Sequence, residues 1–277
     1  MGPDEFQLMV NHNTYTNFMA KKMFEYLFEL LDQYEHKALF EKCGYTKELL
    51  DKMHDASDKM LILYDKNTKL YEQHDGFFKL PHIDINSIPV TDFPLYSHWS
   101  YDRIYRNDLI KQPDVLMFMF LYSSEFSLEQ KKANYDFYEK KCLHESSLSP
   151  SIHSIFASEL GYEKQADDFF GFATRLDLDD YNRNTCEGLH MTSIAAAWMN
   201  IVYGFLGLRS DTKELSIAPK LPSKWKSYSV NLLYQNRHLK VEVNKESLVF
   251  TLDGEKPINL KINGKTAEIF NNLVIKR

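Results

Sequence analysis

Near residues 208–216 the apolar pattern of this chain changes period, which commits the two sides of that point to different kinds of structure. Before it, apolar residues recur at spacings of three and four. Tyr15, Phe18, Met19, Met23, Tyr26, Leu27, Leu30 and Leu31 predict a helix from Thr14 to about Tyr34. The same spacing predicts helices over 46–63, from Val115, and over 128–141, 150–160 and 164–173. The stretch "MTSIAAAWMNIVYGF" (191–205) is apolar on nearly every side, which predicts an inner helix covered all round. Among these helices "YEQHDGFFKLPHIDINSIPVTDFP" shows no helical repeat and reads as a long structured loop. After Gly207 apolar and polar residues alternate, with turns at "NKES", "DGEK" and "NGK", the signature of successive antiparallel strands. The expected fold is mainly α, with residues 1–210 helical and residues 211–277 forming a small antiparallel β-sandwich, without a flexible linker.

Composition excludes several classes of function. A chain that is 44% hydrophobic with a net charge of -6 at pH 7 has a core to bury, and it lacks the basic face that a nucleic-acid backbone requires. Cys43, Cys142 and Cys186 are far apart with no CxxC spacing, so reduced thiols are expected rather than a zinc knuckle or a disulfide framework. The most apolar run, "VLMFMFLY", is too short to span a bilayer and reads as a buried core element. No basic segment followed by an apolar run opens the chain, so no leader is expected and the cytoplasm is the default location.

Three stretches carry chemistry. In "MGPDEFQLMVNHN", Gly-Pro followed by two acids reads as a tight turn that delivers a carboxylate to a defined place, with Asn13 or Thr14 able to cap the following helix. In "HESSLSPSIHSIF", Ser149 before Pro150 is expected to be an N-cap. Ser146, Ser147 and His144 add donors at a helix start, where free N–H groups and the macrodipole favour anions. Taken alone, such a Ser-rich segment is more often a simple cap. In "NTCEGLHMTS", His190 leads into the next helix, and Gly188 is expected to permit a close backbone approach. Two polar helix starts, each with a histidine, raise the odds of a shared anion site. "DLIKQPDVLMF" places Lys111 and Gln112 just ahead of an apolar run, where long donors suit sugar hydroxyls. Gly-rich phosphate loops, nucleophile elbows and metal-ligand spacings are absent. The acid runs "LDLDDYN" and "DDFF" read as helix faces and caps, and Trp198, Trp225 and Tyr181 as packing residues.

Taken in order, "GPDEF", "NHNTYTNFMA", "YEQHDGFF", "KQPDVL", "HESSLSPSIH", "TRLDLDDYNRNT", "EGLHMTSIAAAW" and "LPSKWKSYS" resemble the family 65 glycoside hydrolases, which include maltose, kojibiose, nigerose and trehalose phosphorylases. The resemblance covers essentially the whole chain. It implies the second half of a six-fold (α/α) barrel followed by a small β-sandwich. It also implies Glu5 as general acid, Lys111 and Gln112 as substrate-binding residues, and Ser146, Ser147 and His190 as the phosphate-binding set. Where family members usually have His-Asp-Ser-Ser, this chain has His144-Glu145-Ser146-Ser147.

The implied reaction is inverting phosphorolysis of an α-glucosyl disaccharide to β-glucose 1-phosphate and glucose. Inorganic phosphate is the co-substrate, and no metal or organic cofactor is expected. An inverting hydrolase needs a carboxylate base to activate water, whereas phosphate arrives already anionic. For Glu5 to act as an acid, an enclosed site must raise its pKa. Relative to the family pattern the chain lacks an N-terminal β-sandwich, linker helices and the first half of the barrel. Exposed apolar surface and low or no activity alone are therefore expected, with a homodimer or a partner chain supplying the missing half. The wording "NHNTYTNFMAKKMFEY" resembles maltose or nigerose phosphorylases. Two rivals are a trehalase-like hydrolase using Glu145 or Glu187 as base, and a noncatalytic helical-repeat binding module.

Overall fold

The computed structural model describes residues 1–33 and 41–277, so the helix end expected at about Tyr34 lies outside the described residues. The chain divides into two compact units, Met1–Phe118 with Asp136–Leu143, and Met119–Tyr135 with His144–Arg277.

In the first unit, α1 (Thr14–Gln33) starts where Asn13 Oδ1 accepts the amide of Thr16 at 2.9 Å, as an N-cap does. Its apolar stripe is covered mainly near the start, where Phe18 stacks on Phe118 with ring centroids 4.8 Å apart. Helix α2 (Lys47–Asp58) is capped by Thr46 and stops short of residue 63. Past it the chain forms a short hairpin that the sequence did not predict, β1 (Tyr64–Asp65) with β2 (Leu70–Tyr71). The expected long loop carries three 3-10 turns, and two single-turn helices, Leu95–His98 and Tyr101–Ile104, come after it. It closes over a core of Phe6, Ile88, Leu95, Trp99, Ile104, Leu109 and Leu143. The apolar run forms α3 (Asp114–Leu121), with Val115, Leu116, Phe118 and Met119 buried.

After α4 (Leu128–Tyr138), three helices dominate the second unit: α5 (Ser149–Leu160), α6 (Glu163–Arg175) and α7 (Met191–Met199). Gly161 reverses the chain between α5 and α6, and Ser154 Oγ donates to the Ala166 carbonyl at 2.9 Å. Ser193 Oγ donates to the Ala173 carbonyl at 3.1 Å, which fixes the start of α7 beside the end of α6. Helix α7 runs on as a π-helix over Asn200–Phe205, and the Gly204 carbonyl accepts from Ser158 Oγ near the end of α5. Helices α5 and α7 are therefore parallel, and both start at the C-terminal end of α6.

The expectation that 191–205 is covered all round is not met. Ser193, Ala196, Asn200, Val202, Gly204 and Phe205 are buried, while Met191, Ile194 and Trp198 are 67%, 52% and 57% exposed. Trp198 is accordingly not a packing residue. Trp225 is one, set among the rings of Phe170, Phe205 and Tyr228. Tyr181 touches the Phe172 ring, with centroids 4.0 Å apart, but is 59% exposed, so it too is not a core packing residue.

The β region has a four-stranded antiparallel sheet, β4 (Ser227–Tyr234), β5 (Arg237–Asn244), β6 (Ser247–Leu252) and β9 (Asn272–Lys276), in the order β4-β5-β6-β9. A second sheet has the order β3-β7-β8, from β3 (Ser216–Ile217), β7 (Ile258–Ile262) and β8 (Lys265–Ile269). "NKES" and "NGK" make hairpins, but "DGEK" carries the chain from one sheet to the other. The β3–β7 pair is parallel, an exception to the all-antiparallel expectation. Strand β3 arrives from the helices, so no tight turn sets its direction. Val241, Phe250, Leu260 and Ile269, from the two sheets, share one core with Val202 and Leu206 at the end of the π-helix.

Among the described residues no helix is long and apolar enough to cross a membrane. Cys43, Cys142 and Cys186 form no disulfide with one another.

Candidate active site

The first unit joins the "GPDEF" turn to the "KQPD" segment through a buried carboxylate. Asp4 is fully buried, and its Oδ1 accepts the amides of Phe6 at 3.1 Å, Lys111 at 2.9 Å and Gln112 at 3.3 Å. Its Oδ2 accepts from Gln73 Nε2 at 2.8 Å, so "YEQHD" is tied to the same point. Asp114 accepts the Asp4 amide at 2.6 Å and Asn13 Nδ2 at 3.0 Å. A Cβ on Gly2 would lie 2.1 Å from Asp114 Oδ2, which explains why the turn opens with glycine. Gln7 Nε2 donates to the carbonyls of Asn107 at 2.9 Å and Leu109 at 3.1 Å, and its Oε1 faces His74 Nε2 at 3.0 Å.

This scaffold brings three of the residues singled out in the sequence together. The Glu5 amide donates to Gln112 Oε1 at 3.0 Å, and Lys111 Nζ pairs with the Glu5 carboxylate. The Lys111 ammonium also lies 5.1 Å from the centre of the Tyr96 ring. Glu5 itself is 58% exposed at its side chain. Its partial desolvation favours the neutral acid, but the hydrogen bond and charge of Lys111 outweigh it and hold the pKa below the usual value. That is opposite in direction to what a general acid needs. The cause is the exposed position of Glu5 beside an ammonium.

Electrostatic perturbation falls on the supporting pair instead. Burial pushes Asp4 up to about 6 and, together with the Asp4 charge, Asp114 up to about 8. Sequence reading passed over both, although each follows a proline in a motif it had singled out, "GPDE" and "QPD".

The second unit holds the other set. Ser149 is the first residue of α5 rather than its N-cap, so the helix starts one residue earlier than expected. Its hydroxyl lies 3.0 Å from His144 Nδ1 and donates to the Ser146 carbonyl at 3.3 Å. Ser146 Oγ accepts the Leu148 amide at 3.3 Å, which leaves its own proton to be donated elsewhere. Ser147 is partly exposed in the turn leading into the helix. The half-buried His144 ring lies beside Phe169, 4.8 Å between centroids, and desolvation holds its pKa well below the usual value.

His190 stands immediately before α7, at the same end of α6 as this loop: the His144 ring is 6.2 Å from Phe172, and Ser193 bonds Ala173. Asp177 accepts the His190 amide at 2.8 Å and faces His190 Nδ1 at 2.5 Å. Gly188 has φ +133° and ψ 176°, and a Cβ there would meet nothing within 4 Å. Glycine is required there by the backbone angle.

The model of the glycosyl hydrolase family 65 central catalytic domain matches residues 1–199, and that of the family 65 C-terminal domain matches residues 208–269. An alpha,alpha-trehalose phosphorylase from Thermoanaerobacter brockii is 39% identical over 94% of this chain and 34% of its own length. A maltose phosphorylase from Bacillus subtilis is 37% identical over 94% and 34%, and a kojibiose phosphorylase from Caldanaerobacter subterraneus 36% identical over 96% and 36%. A solved structure described as "Putative kojibiose phosphorylase from human microbiome" is 59% identical and superimposes with a TM-score of 0.94, covering 100% of this chain and 41% of that one. The chain spans about a third of the length of the curated relatives it matches.

Proposed function

The chain belongs to glycosyl hydrolase family 65, and from that premise we propose that it carries part of the machinery for inverting phosphorolysis of an α-glucosyl disaccharide. The products are β-glucose 1-phosphate and glucose, and the co-substrate is inorganic phosphate. In this reading the helices are the second half of a six-fold (α/α) barrel, followed by the β domain from residue 211. Glu5 is the general acid, Lys111 and Gln112 bind the reacting glucose, and Ser146, Ser147 and His190 receive the phosphate.

The observation that carries the reading is the convergence of two polar helix starts at one end of α6, where hydroxyl and imidazole groups suit hydrogen phosphate better than water. Relatives named maltose, kojibiose and trehalose phosphorylase support disaccharide phosphorolysis in general. Maltose or nigerose is the substrate read from residues 11–26. Kojibiose is the second reading, supported by the name of the 59% identical structure. We further propose that residues 1–277 alone have low or no activity, because an exposed Glu5 held ionised by Lys111 cannot protonate a leaving oxygen.

The test incubates the polypeptide, as produced in its own cell, with maltose, kojibiose, nigerose or trehalose, with and without phosphate. Phosphate-dependent release of β-glucose 1-phosphate is expected, with a loss of about 100-fold or more in Glu5→Gln. Glucose release of equal rate without phosphate would overturn the phosphorylase reading in favour of a hydrolase. Brisk turnover by residues 1–277 alone would overturn the claim of low activity.

A further inference from the structure

The acid run "LDLDD" reads in sequence as helix face and caps, yet its three aspartates do three different things. Asp179, in the turn that follows α6, pairs with Arg175 at the end of that helix, with Nε and Oδ2 2.8 Å apart, an ordinary exposed ion pair. Asp180 caps a turn, its Oδ1 accepting the amide of Thr185 at 3.1 Å and its hydroxyl at 2.7 Å. Asp177 alone reaches across the loop to a residue of the proposed phosphate set. Its Oδ2 takes the His190 amide and its Oδ1 faces Nδ1 of the same residue. One carboxylate therefore holds both the backbone and the ring of His190. Hydrogen bonding by His190 pulls the Asp177 carboxyl below its usual pKa range, so it is a steady acceptor at neutral pH.

A histidine has two ring nitrogens, and a fixed partner on one decides what the other presents. With Nδ1–H committed to Asp177, only Nε2, on the far side of the ring, remains for a ligand. The loop that carries the aspartate is itself anchored: Leu176 is buried, the Tyr181 amide donates to its carbonyl at 3.1 Å, and Tyr181 lies against Phe172.

We propose that Asp177 is a positioning residue for phosphate recognition, whose carboxylate locks His190 in the Nδ1–H arrangement and leaves Nε2 to accept the hydroxyl proton of hydrogen phosphate. This deepens the proposed function and rests on its phosphate set.

The experiment is nitrogen-15 NMR of the histidine rings and the backbone amides in the full chain, titrated with inorganic phosphate, for the natural protein, Asp177→Ala and Asp177→Asn. In the natural protein at mildly alkaline pH, His190 is expected as the Nδ1–H tautomer, and phosphate is expected to move its Nε2 resonance. Asp177→Ala removes both contacts, so the ring should become a mixture of tautomers and phosphate affinity should fall about tenfold, the effect of losing one oriented hydrogen bond. Asp177→Asn keeps an oxygen for the ring but sets its amide against the His190 N–H. It should retain the tautomer with a smaller loss of affinity, which separates positioning from general unfolding. If phosphate moves His190, Ser146 and Ser147 in the natural protein while Asp177→Ala keeps both tautomer and affinity, the positioning role is overturned and the phosphate site stands. If phosphate moves none of the three, the phosphate site and the positioning role fall together.

Discussion

The carboxyl groups that hold Glu5 in place are harder to ionise than Glu5 itself. Asp4 and Asp114 are buried within one hydrogen-bond network, and their pKa values are pushed up to about 6 and about 8. A carboxyl whose folded pKa lies above its unfolded value of about 4 contributes stability fully below that value, and loses the contribution as pH rises through the folded pKa. The stability of the first unit should therefore decline between about pH 4 and pH 8, the upper part of the decline belonging to Asp114. In Asp114→Asn the urea midpoint should change much less above pH 6 than in the natural protein. A natural protein whose midpoint is flat from pH 6 to 8 would show that the pair is not perturbed as described. Glu5, Lys111 and Gln112 were each legible in sequence as chemistry-bearing types. Asp4 and Asp114 were not singled out, because their burial comes from a contact across more than one hundred residues.

At the scale of elements, the "EGLH" turn is set by backbone conformation. Gly188 occupies a region of φ and ψ essentially closed to other residues, and it does so with open space where a side chain would stand. Gly188→Ala should therefore cost on the order of 1–3 kcal/mol through the backbone alone. It should also shift the His190 amide away from Asp177, two residues downstream. Hydrogen exchange at His190, compared with that at Asp180 and Thr185, would report it. Faster exchange at His190 is expected, and unchanged exchange with unchanged stability would contradict the assignment. The helices and hairpins themselves were read correctly where the period was long and regular. The short β1–β2 hairpin was missed because two residues per strand leave no period to detect.

At the scale of the whole molecule, the apolar side chains left in water set the behaviour. Met191, Ile194 and Trp198 recur at helical spacing on the exposed face of α7, and Met23 and Tyr26 are exposed on α1. Exposed apolar groups along a helix favour association. Ile194→Lys with Trp198→Lys should reduce concentration-dependent self-association in sedimentation velocity while leaving the circular dichroism unchanged. A sedimentation profile identical to that of the natural protein would show that the α7 face takes no part.

The sequence alone determined the division between helical and β regions, the polar helix starts and most hairpins, because these depend on periodicity, caps and turn residues within a few positions of one another. The family resemblance was likewise carried by short collinear motifs and is supported by matches across both regions. Only the tertiary structure decided that Asp177 rather than its neighbours meets His190, that Asp4 and Asp114 are the buried pair, and that α7 is half exposed. Each of these depends on which distant surface arrives at a residue, and burial and pairing across the chain are not encoded in local spacing.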